Sequence, residues 1–189
     1  GKIYLFGGNP SGDRAAPKGL VQEYDAASDQ WSKKKPMPLA THHAAASAYQ
    51  GKIYLFGGGV QPSAGGPNQF PTNNVWEYDP VADSWRALAP MPTARLAAVA
   101  AEVGGKIYVM GGASVHPGAK LASLSTALPH LSLDPNESYY PSTNRWYPLS
   151  PLPTARNHSP AGVLIVKILV IGVRLCSPPV PSRTHTVGP

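Results

Sequence analysis

Arginine and histidine recur at one register of this chain. Three junction segments align as Pro36 to Thr41, Pro90 to Arg95 and Pro151 to Arg156, which brings Thr41, Arg95 and Arg156 to one position. His43, Ala97 and His158 follow two residues later, with Asn157 between the last pair. Guanidinium and imidazole groups gathered at one mouth would bind a carboxylate, an acidic peptide or an anionic sugar. Period-two spacing would keep Arg156 and His158 on one side of a strand. Arg95 and Arg156 tying neighbouring units through backbone carbonyls would explain their recurrence equally well. That structural role is the preferred reading for Arg95, while Arg156 with His158 is left open.

Other residues invite chemistry and are better read as structure. His42-His43 would sit next to each other on a strand and point to opposite faces, so the pair is not expected to share one metal ion. Asp25 and Asp79, each followed by further Asp and Ser, resemble an acid pair but suit side-chain-to-backbone turns between strands. Glu102 and Glu137 fall at positions shared with structure, and no acid/base pair or nucleophile set emerges. Trp76 stands outside the recurring aromatic pattern and is expected to fill a gap in its own unit.

The elements that must position these residues come from a repeat. Gly51 to Gly58 (GKIYLFGG) stands almost unchanged at Gly1 to Gly8 and returns as Gly105 to Gly112 (GKIYVMGG). Each copy is a short unbroken apolar run, which fits a strand covered on both faces. A glycine turn opens it at Gln50-Gly51 and Gly104-Gly105, so each copy is the second strand of a hairpin. A Tyr then precedes a Trp by seven residues three times: Tyr24 and Trp31, Tyr78 and Trp85, Tyr139 and Trp146. Each Trp lies 21 residues before the lysine of the next copy, whereas lysine-to-Tyr distances run 22, 26 and 33. Length variation is therefore confined to one connection per unit, as in stacked repeats with insertions on one face.

The apolar strand closed by two glycines, then Tyr, then Trp seven residues on, resembles the kelch repeat. Pro-Met-Pro-Thr-Ala-Arg at 90–95 and Pro-Leu-Pro-Thr-Ala-Arg at 151–156 look like the junctions between kelch blades. The resemblance implies an all-β fold, a partial kelch-type β-propeller of four-stranded antiparallel blades around a central channel. Blade units are expected at about 1–36, 42–89, 96–150 and 158–173, within an incomplete propeller over 1–173, followed by an irregular tail over 174–189. The first unit lacks its innermost strand. In the fourth, Val166, Leu169 and Val173 replace the turn glycine, the Tyr and the second glycine. About three and a half blades are not enough to close alone, so the expectation is a fragment of a longer chain, or a chain whose tail is altered. Open strand edges would favour self-association.

In such a propeller the innermost strand begins near the channel mouth, which makes His43, Arg95, Arg156, Asn157 and His158 the candidate ligand-binding set. No catalytic residue, metal site or cofactor is expected. A copper-radical oxidase of kelch type would need a Cys near a Tyr and two His ligands, and Cys176 lies in the irregular tail. The favoured function is a binding module, presenting the connections at 9–19, 59–73 and 113–136 with the channel mouth to a protein or acidic small ligand. The alternative is an enzyme of the sialic-acid mutarotase type working on an anionic sugar, with Arg156 holding the carboxylate and a Glu or His moving the proton.

Composition narrows the partners. The 189 residues carry a net charge of +6, and Lys33-Lys34-Lys35 is the one basic run, read as a solvated blade edge. Aromatic residues follow the repeat rather than interleaving with charge, so nucleic acid is not an expected partner. The apolar run near 163–173 is too short for a membrane span. One cysteine excludes an internal disulfide framework and leaves the compartment undetermined.

Overall fold

The computed structural model describes residues 1–8, 18–61, 70–115 and 131–171. Among them the fold is all-β, in successive antiparallel sheets that do not close on themselves. Strands β1 (Lys2–Phe6), β2 (Val21–Asp25) and β3 (Gln30–Lys33) form the first sheet in chain order. The second sheet orders β4 (Ala45–Tyr49), β5 (Lys52–Phe56), β8 (Val75–Asp79) and β9 (Ser84–Leu88). Its long connection contributes a small two-stranded ladder of β6 (Gly59–Val60) and β7 (Phe70–Pro71).

The third sheet repeats that plan with β10 (Val99–Val103), β11 (Lys106–Met110), β14 (Asn136–Tyr140) and β15 (Arg145–Leu149), and a ladder of β12 (Ala113–Ser114) with β13 (Leu131–Ser132). The last sheet is the hairpin of β16 (Ala161–Leu164) and β17 (Lys167–Val170). The fourth repeat thus pairs as a hairpin despite lacking its glycine turn, with Ile165 alone taking φ 59°. Where the glycines are present, both turn residues adopt positive φ: Gln50 and Gly51 at 48° and 73°, Gly104 and Gly105 at 62° and 80°. That is the turn whose twist suits a two-residue hairpin. Most of the three variable connections, residues 9–17, 62–69 and 116–130, and the tail beyond 171 lie outside the described residues.

The core lies between sheets. Tyr54 and Phe56 of the second sheet pack with Ile107, Val109 and Tyr139 of the third. Val21 and Met37 of the first unit pack with Leu55 and Tyr78 of the second, with Tyr4, Phe6 and Trp76 against them. Burying each such large side chain contributes about 1.5–3 kcal/mol. Trp76, expected within its own unit, therefore helps seal the joint with the preceding one.

The Tyr-to-Trp spacing has a polar purpose as well. Tyr78 donates its hydroxyl hydrogen to Asp83 at 2.7 Å, and Tyr139 does so to Asn144 at 2.9 Å. Asp83 and Asn144 stand in the left-handed region and accept backbone N–H bonds from Lys35 and Ala89 of the preceding unit. The indole N–H of Trp85 donates to the Lys35 carbonyl, and that of Trp146 to the Ala89 carbonyl. Tyrosine, Asp or Asn, and Trp thus clip the second and third sheets to the segment just after the last strand of the sheet before. Asp25 and Asp79 make the turns expected of them, accepting from Ala27 and from Val81 and Ala82. At the third sheet Tyr140 replaces that Asp, and Lys106 sits over its ring at 4.9 Å, where Lys52 instead pairs with Asp79. Lys34, read as part of a solvated basic run, pairs with the buried Glu23 at 3.3 Å.

Candidate functional site: the inner-strand rim

Gly-Gly after each second strand is the slot that receives the next junction. A side chain at Gly57 would meet the Arg95 carbonyl at 2.2 Å, and one at Gly111 would meet that of Arg156 at 2.6 Å. The second glycine of each pair donates to the same carbonyl: Gly8 to Thr41, Gly58 to Arg95 and Gly112 to Arg156, at 3.2, 3.0 and 2.7 Å. Positive φ at all these glycines makes the approach accessible. The aligned Thr/Arg/Arg position is therefore fixed through its backbone, whatever its side chain.

Two residues on, His43, Ala97 and His158 have φ of 53°, 52° and 53°. They are not strand residues, since β4, β10 and β16 begin two or three residues later. The period-two argument that placed Arg156 and His158 on one strand side, and His42 and His43 on opposite faces, thus fails at the left-handed residue. Instead the His42 and His43 rings meet edge to face, with their Nδ1 atoms 2.5 Å apart, so one ring donates and the other accepts.

The three left-handed residues are chained together. Ala97 N–H donates to the His43 carbonyl at 2.8 Å, and His158 N–H to the Ala97 carbonyl at 3.0 Å. Strand β10 lies against both β4 and β16. Because residue 97 is only an alanine, the rings of His43 and His158 come together across it, with centroids 5.0 Å apart and an interplanar angle of 78°. His158 Nδ1 lies 2.6 Å from Asn157 Oδ1, while Asn157 donates its amide hydrogen to the Ser132 hydroxyl at 2.8 Å. His43 and His158 are exposed, Arg156 is half-buried, and His42 and Asn157 are buried. Among the described residues no group of three or more His, Cys, Asp or Glu is arranged to hold a metal ion.

Arg95 goes elsewhere. It is fully buried, donating to the carbonyls of Gly111 and Pro135, each at 3.1 Å, and pairing with the Glu137 carboxylate. Burial pushes its pKa down, and the neighbouring Glu137 opposes that. Its own N–H donates to Thr72 of the second unit, so main chain and side chain tie two adjacent sheets, the structural role weighed for it. Thr93 also donates to Glu137. Glu102, the other carboxylate considered for proton transfer, accepts the backbone N–H of Gly105 in its own hairpin.

Sequence reasoning missed His42 and Ser132 as members of this cluster. Gly59 carried a signal for the first: a side chain there would strike the His42 ring at 2.5 Å, so the glycine is the space the ring occupies. Nothing in the sequence pointed to Ser132, which enters from the far side of the longest connection.

The sequence model of the kelch motif matches residues 40–92. The chain is 28% identical over 176 residues to the Kelch-like protein terF of Aspergillus terreus, covering 92% of this chain and 37% of that protein. It is 29% identical to Kelch-like protein 25 of Homo sapiens, over 80% of this chain and 24% of the relative. Beta-scruin of Limulus polyphemus is 29% identical over 66% of this chain and 13% of its own length. The chain therefore spans well under half the length of these curated relatives. The solved structure of YjhT shares the fold, with a TM-score of 0.68 at 20% identity, over 82% of this chain and 45% of that one. Repeated frame, four-stranded antiparallel sheets and these likenesses agree: the chain carries kelch repeats and is similar to kelch-repeat proteins.

Proposed function

We propose that the chain is a binding module whose inner-strand rim grips an acidic segment of a protein partner. One observation carries this reading: the exposed rings of His43 and His158 meet over Ala97 on a hydrogen-bonded backbone, beside Asn157 and the half-buried Arg156. A rim held this way presents donors with little ordering left to do on binding. Recognition through the connections at 9–19, 59–73 and 113–136, where loops on a rigid scaffold would carry it, falls largely outside the described residues. The sugar-processing alternative draws no support from Glu102 or Glu137, whose carboxylates serve a hairpin turn and a buried ion pair. Family membership by itself assigns no partner.

Selection of a phage-displayed random peptide library on the chain tests this. Enrichment of Asp- and Glu-rich peptides is expected. Arg156→Ala or His158→Ala should weaken them by about 10–100-fold, the worth of one charge-assisted hydrogen bond. Enrichment without acidic bias, or binding indifferent to both substitutions, would overturn the proposal.

A further inference from the structure

The joint between the first and second sheets lacks the buried ion pair of the joint that follows it. In the repeat frame Thr41 stands at the position of Arg95, and Leu39 at that of Thr93. Trp76 stands at the position of Glu137. It pairs with Leu55 as Glu137 pairs with Val109, and lies two residues before Tyr78 as Glu137 does before Tyr139. At the second joint Thr93 and Arg95 both bond to Glu137. At the first, the Thr41 hydroxyl and the Trp76 indole N–H are buried and bonded to no group among the described residues. Thr41 as a whole is 3% exposed. Burying a hydroxyl or N–H without a hydrogen bond is costly, so such groups in folded proteins are satisfied by protein or by ordered water.

The same joint supplies acceptors. Arg95 donates to the carbonyls of Gly111 and Pro135, and the Gly111 N–H bonds to that of Pro135 at 2.9 Å. Gly57 and Asn74 are their counterparts, and the Gly57 N–H bonds to the Asn74 carbonyl at the same distance. We infer that an ordered water sits where the guanidinium sits at the second joint. It accepts from the Thr41 hydroxyl and the Trp76 indole, and donates to the carbonyls of Gly57 and Asn74. Buried waters typically make about three such bonds, drawn from groups of both kinds. An indole N–H is a donor only and disfavours a cation, while two carbonyls disfavour an anion, so neither ion suits all four groups. Thr41 directly precedes His42 and His43, so the water ties the start of the rim to the second sheet. The inference does not depend on the function proposed for the rim.

Water-to-protein cross-relaxation in the isotope-labelled chain reads the site at the Trp76 indole proton. A held water gives NOE and rotating-frame NOE of opposite sign there. The Trp85 and Trp146 indoles, which bond to carbonyls, should show no such long-lived transfer. Thr41→Val, of nearly the same shape, should weaken the transfer and lower the folding equilibrium constant about 2–10-fold in urea unfolding, the worth of one hydrogen bond. An unpaired hydroxyl predicts the reverse, because a methyl group in its place leaves stability unchanged or raised. Combined with Trp76→Phe, the losses should fall short of their sum, since both groups serve one water. No transfer at Trp76, Thr41→Val at least as stable as the parent, or strictly additive losses would each overturn the inference.

Discussion

Replacing Glu137 with Gln leaves the Arg95 guanidinium charged, fully buried and without its counter-ion. Arg95 is 0% exposed and Glu137 only 5%, so water does not replace the lost partner. Removing one member of a buried pair costs about 3–5 kcal/mol, several times the worth of an exposed pair. Hydrogen bonds to Gly111 and Pro135 persist but carry no compensating charge. For a domain of this size 1 kcal/mol lowers Tm by about 2–4 °C, so E137Q should melt about 6–20 °C lower. Thermal and urea unfolding followed by circular dichroism give both numbers. A second variant, Arg95→Met with Glu137→Leu, removes both charges and should recover part of the loss, because apolar replacement avoids the desolvation penalty. Recovery stays partial, since the Thr93 hydroxyl loses an acceptor and the carbonyls of Thr93, Gly111 and Pro135 lose a donor. A loss below about 1 kcal/mol for E137Q would refute the argument, placing the pair in the solvent-screened class.

Other outcomes follow from the same geometry. Hydrogen bonds from Lys2 and then Tyr4 hold the Glu23 carboxyl at about 2, against an ordinary value of 4.5. Its stabilisation is therefore complete above about pH 4.5 and is lost as pH falls toward 2. Acid titration of Glu23→Gln should show a shallower loss of stability across that window than the parent. Asn144→Ala removes the acceptor of both Ala89 N–H and the Tyr139 hydroxyl, and should cost about 1–3 kcal/mol in urea unfolding. Gly57→Ala forces a methyl group against the Arg95 carbonyl at φ 61°. The chain should lose more stability there than at Gly51→Ala, whose added methyl meets no atom within 4 Å.

The fold was legible because the repeat writes its frame in residue types that have few alternatives. The three repeat copies read as strands are β1, β5 and β11, and the glycine pairs stand at every slot where a following junction carbonyl enters. The rim was legible only in part. Alignment of the junctions brought His43, Ala97 and His158 to one position, but strand periodicity does not apply there, because all three precede their strands. A left-handed residue at each of the three turns the chain just before the strand begins, and neither histidine nor alanine announces that conformation as glycine would. Arg95 with Glu137 was illegible as a pair, since 42 residues and the longest connection separate them. The Tyr–Asp/Asn–Trp clip was visible as spacing, but its hydrogen bonds to the preceding sheet exist only once two sheets are side by side.

The rim itself is tested most directly by watching the His43 and His158 ring protons by NMR while an acidic peptide from the library selection is titrated in. Both rings should shift together, saturating with the peptide's own binding curve, and Arg156→Ala should abolish the shifts at the same peptide concentration. Saturable peptide binding that leaves both ring signals in place would contradict the account.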